Sequence, residues 1–343
     1  MRLVRAELAR LSARRFTRIG LLGLLVVIGL ITVGIAASAH KPTEADRVKA
    51  HADAQRYRAE AQIQYENCRQ GMDAAGPSAS PAATAGPGSK PLPPNSDCSD
   101  IIAHQPTDED LLPHTFTLVR DAPELYRALG ALLALFGFAV GASFIGAEWS
   151  SGGVMTLLVW RPRRAALWLG KLASLLLGVL GVGVVLSTLW YAAMWVIATQ
   201  RGITAGLTPG ALTSLALTDA RSVGIGLAAA VVGYSIAFLG RNTATALGAA
   251  IGWVVIFEIG GRIVAAITQA VRPERWYLSS YLLAWLEKEA RFEDFARCRD
   301  VVDASCSPVE WSITLRQATP VLGVGMLLVA LISLVIFRRR DVT

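Results

Sequence analysis

The sequence predicts an all-α integral membrane protein with six transmembrane helices and two extracellular insertions. Of its 343 residues, 53% are hydrophobic, and the apolar residues lie in runs of about 20, long enough to cross a bilayer. Segments assigned to the cytoplasm hold 14 Lys and Arg against three Asp and Glu, whereas the outer segments hold 17 against 22. The net charge of +7 therefore follows the positive-inside rule, and no nucleic-acid partner is predicted.

The apolar runs and the charges between them divide the chain into spans and connections. In order these are 1–18, a cytoplasmic amphipathic N-terminal helix; 19–39, the first span; 40–124, an extracellular loop; 125–147, the second span; 148–171, a cytoplasmic loop; 172–197, the third span; 223–239, the fourth; 243–267, the fifth; 272–317, an extracellular helix and loop; 318–337, the sixth; and 338–343, a cytoplasmic tail. The first segment places leucines among six arginines, which predicts a helix on the inner membrane surface; a merely charged flank fits equally well.

The first extracellular loop divides into three parts. Apolar residues at helical spacing predict a helix over 43–68. The Gly, Pro, Ser and Ala of 71–94 predict a mobile stretch, and the acidic 97–121 is predicted to fold back. All four histidines fall in this loop. Histidines can bind a metal or sense pH, but scattered surface histidines are the more common case.

All four cysteines fall in predicted outer loops, where disulfides can form. They are Cys68, Cys98, Cys298 and Cys306. Four cysteines allow three pairings, and their spacing does not choose between them. Pairing within each loop, Cys68 with Cys98 and Cys298 with Cys306, is the simplest expectation. No CxxC spacing occurs, so no metal site is predicted.

The loop over 148–171 changes the direction of the chain. Its Ser and Gly residues at 150–153 are poor helix formers and end the preceding run. Val154, Leu157 and Leu158 fall at i, i+3 and i+4, which predicts a short helix with one apolar face, and Pro162 ends it. The basic residues that follow are Arg161, Arg163, Arg164 and Lys171. The expected structure is a helix lying under the membrane, with basic residues at the inner surface.

Small residues mark the later spans. Gly226, Ala230, Gly233 and Ala237 follow one face of the fourth span, so that another backbone can approach closely. A GxxxG pair at 248 and 252 in the fifth span is expected to pack within the chain rather than to form a dimer seam. After that span, 272–297 is predicted to be a second outer helix with its aromatic residues on the membrane surface.

Glu258 is a charged residue inside the fifth span, past the midplane. A charge facing lipid at the helix centre costs roughly 2.5–3.5 kcal/mol on insertion scales, so Glu258 is expected to face protein or water. Arg262, one turn later, is placed to pair with it. The two residues are either part of a substrate path or a self-neutralised pair near the outer interface, and the sequence leaves both open.

The loop over 148–171, which we call the elbow, carries a family resemblance. Glu148 at the end of a span, the Gly-rich break, the Leu157–Leu158 pair, the Arg161-Pro-Arg-Arg cluster and Gly170-Lys-Leu resemble the loop between the second and third spans of bacterial type 2 ATP-binding-cassette (ABC) exporter permeases. The C-terminal Phe337-Arg-Arg-Arg-Asp is similar to the usual ending of that family. The resemblance implies a coupling helix at 154–160 that docks on a separate ATPase subunit. It gives the coupling role to Glu148, Val154, Leu157, Leu158, Arg161, Arg163 and Arg164.

The resemblance also implies the partners and the location. They are two copies of the ATPase subunit, a second permease chain forming a homodimer or related heterodimer, and the bilayer of a bacterial plasma membrane, with both termini in the cytoplasm. No GxxxxGK[ST] loop occurs, so this chain is not predicted to be an enzyme or to hold a cofactor; the partner would bind ATP and Mg.

Export of a hydrophobic or amphipathic substrate is the predicted function. The alternative is a multi-span membrane sensor or anchor whose extracellular loops bind a ligand. An intramembrane enzyme is disfavoured, because no predicted span contains His, Cys or Asp to supply a nucleophile and its base.

Overall fold

The computed structural model describes residues 2–75, 98, 102, 105–108, 110–113, 115–160, 163–204, 206–294 and 309–339. Its elements in chain order are α1 Arg2–Ala13, α2 Arg15–Ser38, α3 Glu44–Ala75, α4 Leu118–Ser150, α5 Gly153–Trp160, α6 Arg164–Gln200, α7 Pro209–Gly240, α8 Thr243–Trp253, α9 Gly261–Thr268, α10 Leu278–Glu287, β1 Glu289–Asp294, β2 Val309–Thr314 and α11 Leu315–Arg339. A π-helical segment, Val254–Gly260, joins α8 to α9, and a 3-10 turn, Pro273–Trp276, precedes α10.

Six helices are long and apolar enough to cross a membrane, which agrees with the predicted number of spans. They are α2, α4, α6, α7, the continuous helix Thr243–Thr268 and α11. At about 1.5 Å per residue, the longer ones exceed the roughly 30 Å of a hydrocarbon core. Their lengths are therefore sufficient for a span with additional turns at its ends.

The chain forms two compact units. The first contains Met1–Ser38, Thr117–Arg291 and Ser312–Thr343, and the second contains Ala39–Phe116 and Phe292–Trp311. All six apolar helices lie in the first unit. We refer to the end of this bundle where α4, α7 and α11 finish and α6 begins as the elbow end.

The centre of the bundle is the pair formed by α4 and α7, which run parallel to each other. A Cβ at Gly137 would collide with the carbonyl oxygen of Gly226, and one at Gly141 with that of Ala230. On the other helix, a Cβ at Gly233 would collide with α4 backbone. The predicted stripe of small residues is confirmed as the surface on which these two backbones meet.

The predicted GxxxG packing is wrong for this chain. A Cβ at Gly248 or at Gly252 would have no heavy atom within 4 Å among the residues that the structure describes. Only 6% of the apolar stretch of that helix is buried, compared with 61% for the apolar stretch of α4. Glycine spacing predicts a surface on which a close approach is allowed, and here no helix that the structure describes packs against it.

The fourth span begins earlier than predicted, at Pro209 rather than at residue 223. Proline is tolerated in a first helical turn, and the Thr208 hydroxyl accepts a hydrogen bond from Ala211 N at 3.2 Å, which caps the helix. Asp219, expected in a loop, therefore lies within α7. The polar residues in its first turns lower the local hydropathy, so hydropathy alone does not predict this part of the helix.

The prediction of one outer helix over 272–297 is also wrong. The 3-10 turn and α10 occupy only its first part. The helix α10 ends at Glu287, and the next residue, Lys288, has a positive φ of 73°. The chain then forms β1, which pairs with β2 in a two-stranded sheet. The rings of Phe292 and Trp311 pack with their centroids 5.1 Å apart, and such a cross-strand aromatic pair stabilises a hairpin.

The second unit is organised by α3, which confirms the helix predicted over 43–68. Cys68 forms a disulfide with Cys98, as predicted, with a Cα–Cα distance of 6.0 Å. Asp108 folds back onto α3, where it lies 2.7 Å from His51 Nδ1 and 3.0 Å from Arg58 Nη2. The hydrogen bond with His51 is the main reason that the pKa of Asp108 lies below its usual value. Cys298, Cys306 and most of the predicted mobile stretch lie outside the described residues.

Candidate functional site

The elbow is a tight turn between α4 and the short helix α5. Ser151 N donates to Ala147 O and Gly152 N donates to Trp149 O, each at 3.2 Å, and these bonds close the last turn of α4. Gly152 then adopts a φ of +73°, a left-handed conformation that favours glycine. The helix Gly153–Trp160 follows, so the predicted short helix is confirmed.

Residue Gly152 should be the position of the elbow that tolerates an added methyl group least. Gly152→Ala should lower the free energy of unfolding by roughly 1 kcal/mol, because an L-residue is strained in this region, while a Cβ there would meet no atom within 4 Å. The measurement is thermal unfolding in detergent. Gly181→Ala is the control, since Gly181 is helical with equally open space and alanine should be neutral or stabilising there. Equal effects at the two positions would contradict this explanation.

The short helix α5 has a buried apolar residue on one side and an exposed apolar residue on the other. Val154 is fully buried and fixes the helix to the bundle, whereas Val159 is 83% exposed. Leu157 is half-buried, and the side chain of Leu158 lies outside the described set. The exposed apolar contact surface of α5 therefore includes Val159, which the i, i+3, i+4 pattern did not select.

Four charged residues lie behind the elbow, where α1, α4 and α6 meet; we call them the charge cluster. Its members are Glu7, Arg14, Glu148 and Lys171. The Lys171 ammonium is 2.6 Å from Glu148 Oε2 and 3.2 Å from Glu7 Oε2. Arg14 Nη2 donates to Glu148 Oε1 at 2.9 Å. On the exposed side of the cluster, Arg10 Nη1 also donates to Glu7 Oε1 at 3.2 Å. Each of the two acids therefore has two cationic partners, and such pairing is the condition under which a protein interior tolerates charge.

The charge cluster is almost closed to solvent. Lys171 and Glu7 are each 1% exposed. The ammonium of Lys171 lies within ion-pair distance of both acids but makes no well-aligned hydrogen bond to either. The strength of these pairs therefore depends on Coulomb attraction, which increases as the local dielectric constant falls. Arg14 also donates to the carbonyl oxygens of Ser143 and Phe144, at 3.1 and 2.7 Å. The cluster thus joins the N-terminal helix to α4 and α6.

The remaining predicted coupling residues have different surroundings. Glu148 is 8% exposed and is committed to the charge cluster, so a partner's surface cannot reach it directly. Arg164 Nη1 donates to the carbonyl oxygens of Phe337 and Arg338, at 3.5 and 3.4 Å, where the C-terminal end of α11 favours a cation. Arg163 is exposed, and Arg161 lies outside the described residues.

The intramembrane acid Glu258 caps a neighbouring helix. Its carboxylate accepts hydrogen bonds from Ser279 N at 3.0 Å and from Ser279 Oγ at 2.6 Å, in the first turn of α10, where a helix favours negative charge. Arg262 donates to the same Ser279 hydroxyl at 3.4 Å and lies over the ring of Tyr277. The two charged residues thus converge on the start of α10 in place of the predicted direct pair.

No family model and no curated protein matches this chain. Its function is therefore argued from the geometry of the elbow and of the charge cluster.

The charge cluster is the part of this site that sequence reasoning missed. Glu7 is the single acid in an arginine-rich segment, and Lys171 directly precedes an apolar run. The residues next to each of them in sequence predict only a basic membrane surface. A signal was present in Glu148, since an acid at the end of an apolar run needs a cation from another segment.

Proposed function

We propose that this chain is the transmembrane permease subunit of a type 2 ABC transporter, exporting a hydrophobic or amphipathic substrate. In this proposal a separate ATPase subunit, in two copies, binds ATP and Mg and docks on the elbow from the cytoplasm. A second permease chain completes the transporter in a bacterial plasma membrane.

The observation that best supports the proposal is the construction of the elbow. The short helix α5 presents the exposed Val159 and is followed by the exposed Arg163, so it offers apolar and basic contacts to a partner. Its other side is fixed by the buried Val154. A displacement of α5 would therefore be transmitted to α4, since side chains packed this closely move together.

The charge cluster extends this connection to two more helices. Glu148 lies on the last turns of α4 and pairs with Arg14 and Lys171, so α4 cannot move alone without separating opposite charges in a nonpolar environment. That separation is costly. We therefore propose that α1, α4 and α6 respond to the ATPase as one body.

A single substitution tests docking without disturbing the fold. Val159→Asp should leave the thermal unfolding temperature unchanged, because the side chain is 83% exposed, and should abolish co-purification of an ATPase subunit from native membranes and substrate-stimulated ATP hydrolysis by the reconstituted complex. A charge in an apolar contact loses that contact and pays for desolvation. The matched control is Val48→Asp on α3, where the side chain is 67% exposed.

The proposal fails if the purified chain hydrolyses ATP by itself. It also fails if no nucleotide-hydrolysing subunit accompanies the wild-type chain in a fixed ratio, or if Val159→Asp leaves the complex intact. Reversing the charge of Arg161 and Arg163 together gives a second test of docking of the ATPase subunit on the elbow. Arg164 is kept unchanged in that variant because it contacts α11.

A membrane sensor or anchor is the second candidate, and the second unit is the observation that favours it. That unit has a long helix, a disulfide and its own ion pairs, which is more structure than a permease loop requires. Deleting residues 44–112 separates the candidates: a permease should still associate with its ATPase, whereas a sensor should lose its only measurable activity.

A further inference from the structure

An acid without a counter-charge lies between the helices, towards the end of the bundle opposite to the elbow. Asp219 is in α7, about three turns after the start of that helix. Its Oδ1 oxygen is closed to solvent, and no described group donates a hydrogen bond to it. Among the residues that the structure describes, Asp219 takes part in no ion pair. An ionised carboxylate here would hold a buried oxygen with neither a donor nor a cation.

The surroundings of Asp219 are buried side chains of α4 and α6. The carboxyl group is within hydrogen-bond range of Ser187 on α6 and within electrostatic range of the Tyr126 hydroxyl on α4. Ser187 is 3% exposed and Tyr126 is 1% exposed. Asp219 itself is partly exposed. A proton needs no cavity, so it can reach this acid from solution where a larger ligand would find no space.

The hydroxyl group beside Asp219 is placed to accept a hydrogen bond. Ser187 Oγ donates to the carbonyl oxygen of Val184 at 3.2 Å. Because a hydroxyl group has one proton and two lone pairs, Ser187 presents lone pairs to Asp219. Lone pairs repel an ionised carboxylate and accept a hydrogen bond from a protonated one. The Tyr126 hydroxyl, which has no described partner, can donate or accept.

The cations on neighbouring elements are engaged elsewhere. Arg127 on α4 pairs with Glu124 at 3.1 Å and with Glu287, at the end of α10, at 2.8 Å. Lys288, which follows α10, donates to Ser214 Oγ on α7 at 3.0 Å. These interactions fix the positive charges near the ends of the helices. They leave none within ion-pair distance of Asp219.

Three more groups lie on elements that pack around α7. Arg221 is two residues after Asp219, and positions two apart on a helix do not face each other. Arg316, in the first turn of α11, is exposed. Tyr191 on α6 is within electrostatic range of Tyr126 but supplies no positive charge. In this part of the described chain, no cation takes the place of a proton on Asp219.

We propose that Asp219 is a proton-binding site, which holds a proton while α4, α6 and α7 are packed as in this structure and releases it when they separate. The proton comes from the aqueous solution and returns to it, so no other reactant is needed. The physical reason is that a buried carboxyl group without a partner is neutralised in preference to remaining charged. The packing of these three helices then depends on the pH of the solution that reaches Asp219. The site requires neither the elbow nor an ATPase, so it goes beyond the proposed function.

Labelling of the purified chain in detergent with dicyclohexylcarbodiimide tests the site, because this apolar reagent reacts with protonated carboxyl groups. An ordinary aspartic acid is protonated in roughly one molecule in a thousand at pH 7. Asp219 should therefore be labelled at least about tenfold faster than Glu258 at this pH, as measured by mass spectrometry of peptides. Glu258 is the control because it is an acid of another apolar helix, and its oxygens accept two hydrogen bonds from Ser279.

The variant Asp219→Asn gives a second measurement, because an amide has the shape of a protonated acid and does not ionise. In the wild type, the folded state should bind one more proton than the unfolded state. Between pH 5 and 7, its unfolding equilibrium constant should therefore rise about tenfold per pH unit relative to that of the variant. Unfolding in detergent at a series of pH values measures this difference.

Either of two results overturns the proposal. If Asp219 is labelled no faster than Glu258, the carboxyl group is ionised and is solvated by water. If the wild type and Asp219→Asn have parallel pH dependences, Asp219 binds no additional proton on folding. If the variant does not fold, the labelling of the wild type decides alone.

Discussion

Lys171→Met should destabilise the protein by about 3–5 kcal/mol, the usual result of removing one partner from a buried ion pair. The substitution keeps the aliphatic stem but removes the ammonium that Glu7 and Glu148 share, so that Glu7 keeps only the exposed Arg10 and Glu148 keeps only Arg14. Both carboxylates contact the lost ammonium, at 3.2 and 2.6 Å. Unfolding followed by circular dichroism in detergent, with denaturant or heat, measures the loss.

The double variant Glu7→Gln with Lys171→Met makes this prediction specific. It removes one charge of each sign, so it should be more stable than Lys171→Met alone, and the double-mutant cycle should give a favourable coupling energy. Lys49→Met on the exposed surface of α3 is the control and should have little effect. If the single and double variants are equally unstable, Lys171 acts through packing, and the charge pairing described above is wrong.

Gly141→Leu should separate the two central helices, at a cost of about 3 kcal/mol or more, as expected for severe overpacking. Even a Cβ at this position would collide with the Ala230 carbonyl oxygen, and backbone cannot turn aside as a side chain does. The same substitution at Gly34 in α2 is the control, since a Cβ there meets nothing within 4 Å.

The comparison of these two glycine variants can be made by expression level and by unfolding temperature in detergent. Gly34→Leu should behave like the wild type in both. A tolerated Gly141→Leu would mean that α4 and α7 lie further apart in the membrane than in this structure. An equal loss from both variants would mean that leucine disturbs insertion of the helices rather than their packing.

Hydropathy and charge predicted the features that depend on one segment at a time. The six apolar helices, α3 and α5 follow from local composition, because a bilayer selects for length and apolarity regardless of neighbours. The stripe on α7 was also predictable, since small residues at helical spacing have one main use. The identity of its partner, α4, was not predictable, because α4 is one of several helices that contain glycines.

Features that depend on two distant segments could not be predicted in this way. The ion pair of Lys171 with Glu7 joins residues far apart in sequence, and either alone is typical of a membrane surface. Glu258 was placed in the right span, but its cap on α10 depends on a chain reversal that the sequence did not reveal. The hairpin of β1 and β2 was missed because the aromatic and acidic residues before it also fit a helix.

The π-helical segment around Glu258 makes the fifth span sensitive to chain length rather than to side-chain chemistry. Its wider turns accommodate an extra residue that an α-helix would not hold. Loss of one residue from Val254–Gly260 would restore ordinary α-helical turns, and α8 and α9 would keep their relative rotation because the wide turn had absorbed the extra residue. The turn that carries Glu258 would tighten, and its carboxylate would be re-aimed relative to Ser279 without a change in either residue. A single-codon deletion is thus the smallest genetic event that could detach α10 from the fifth span.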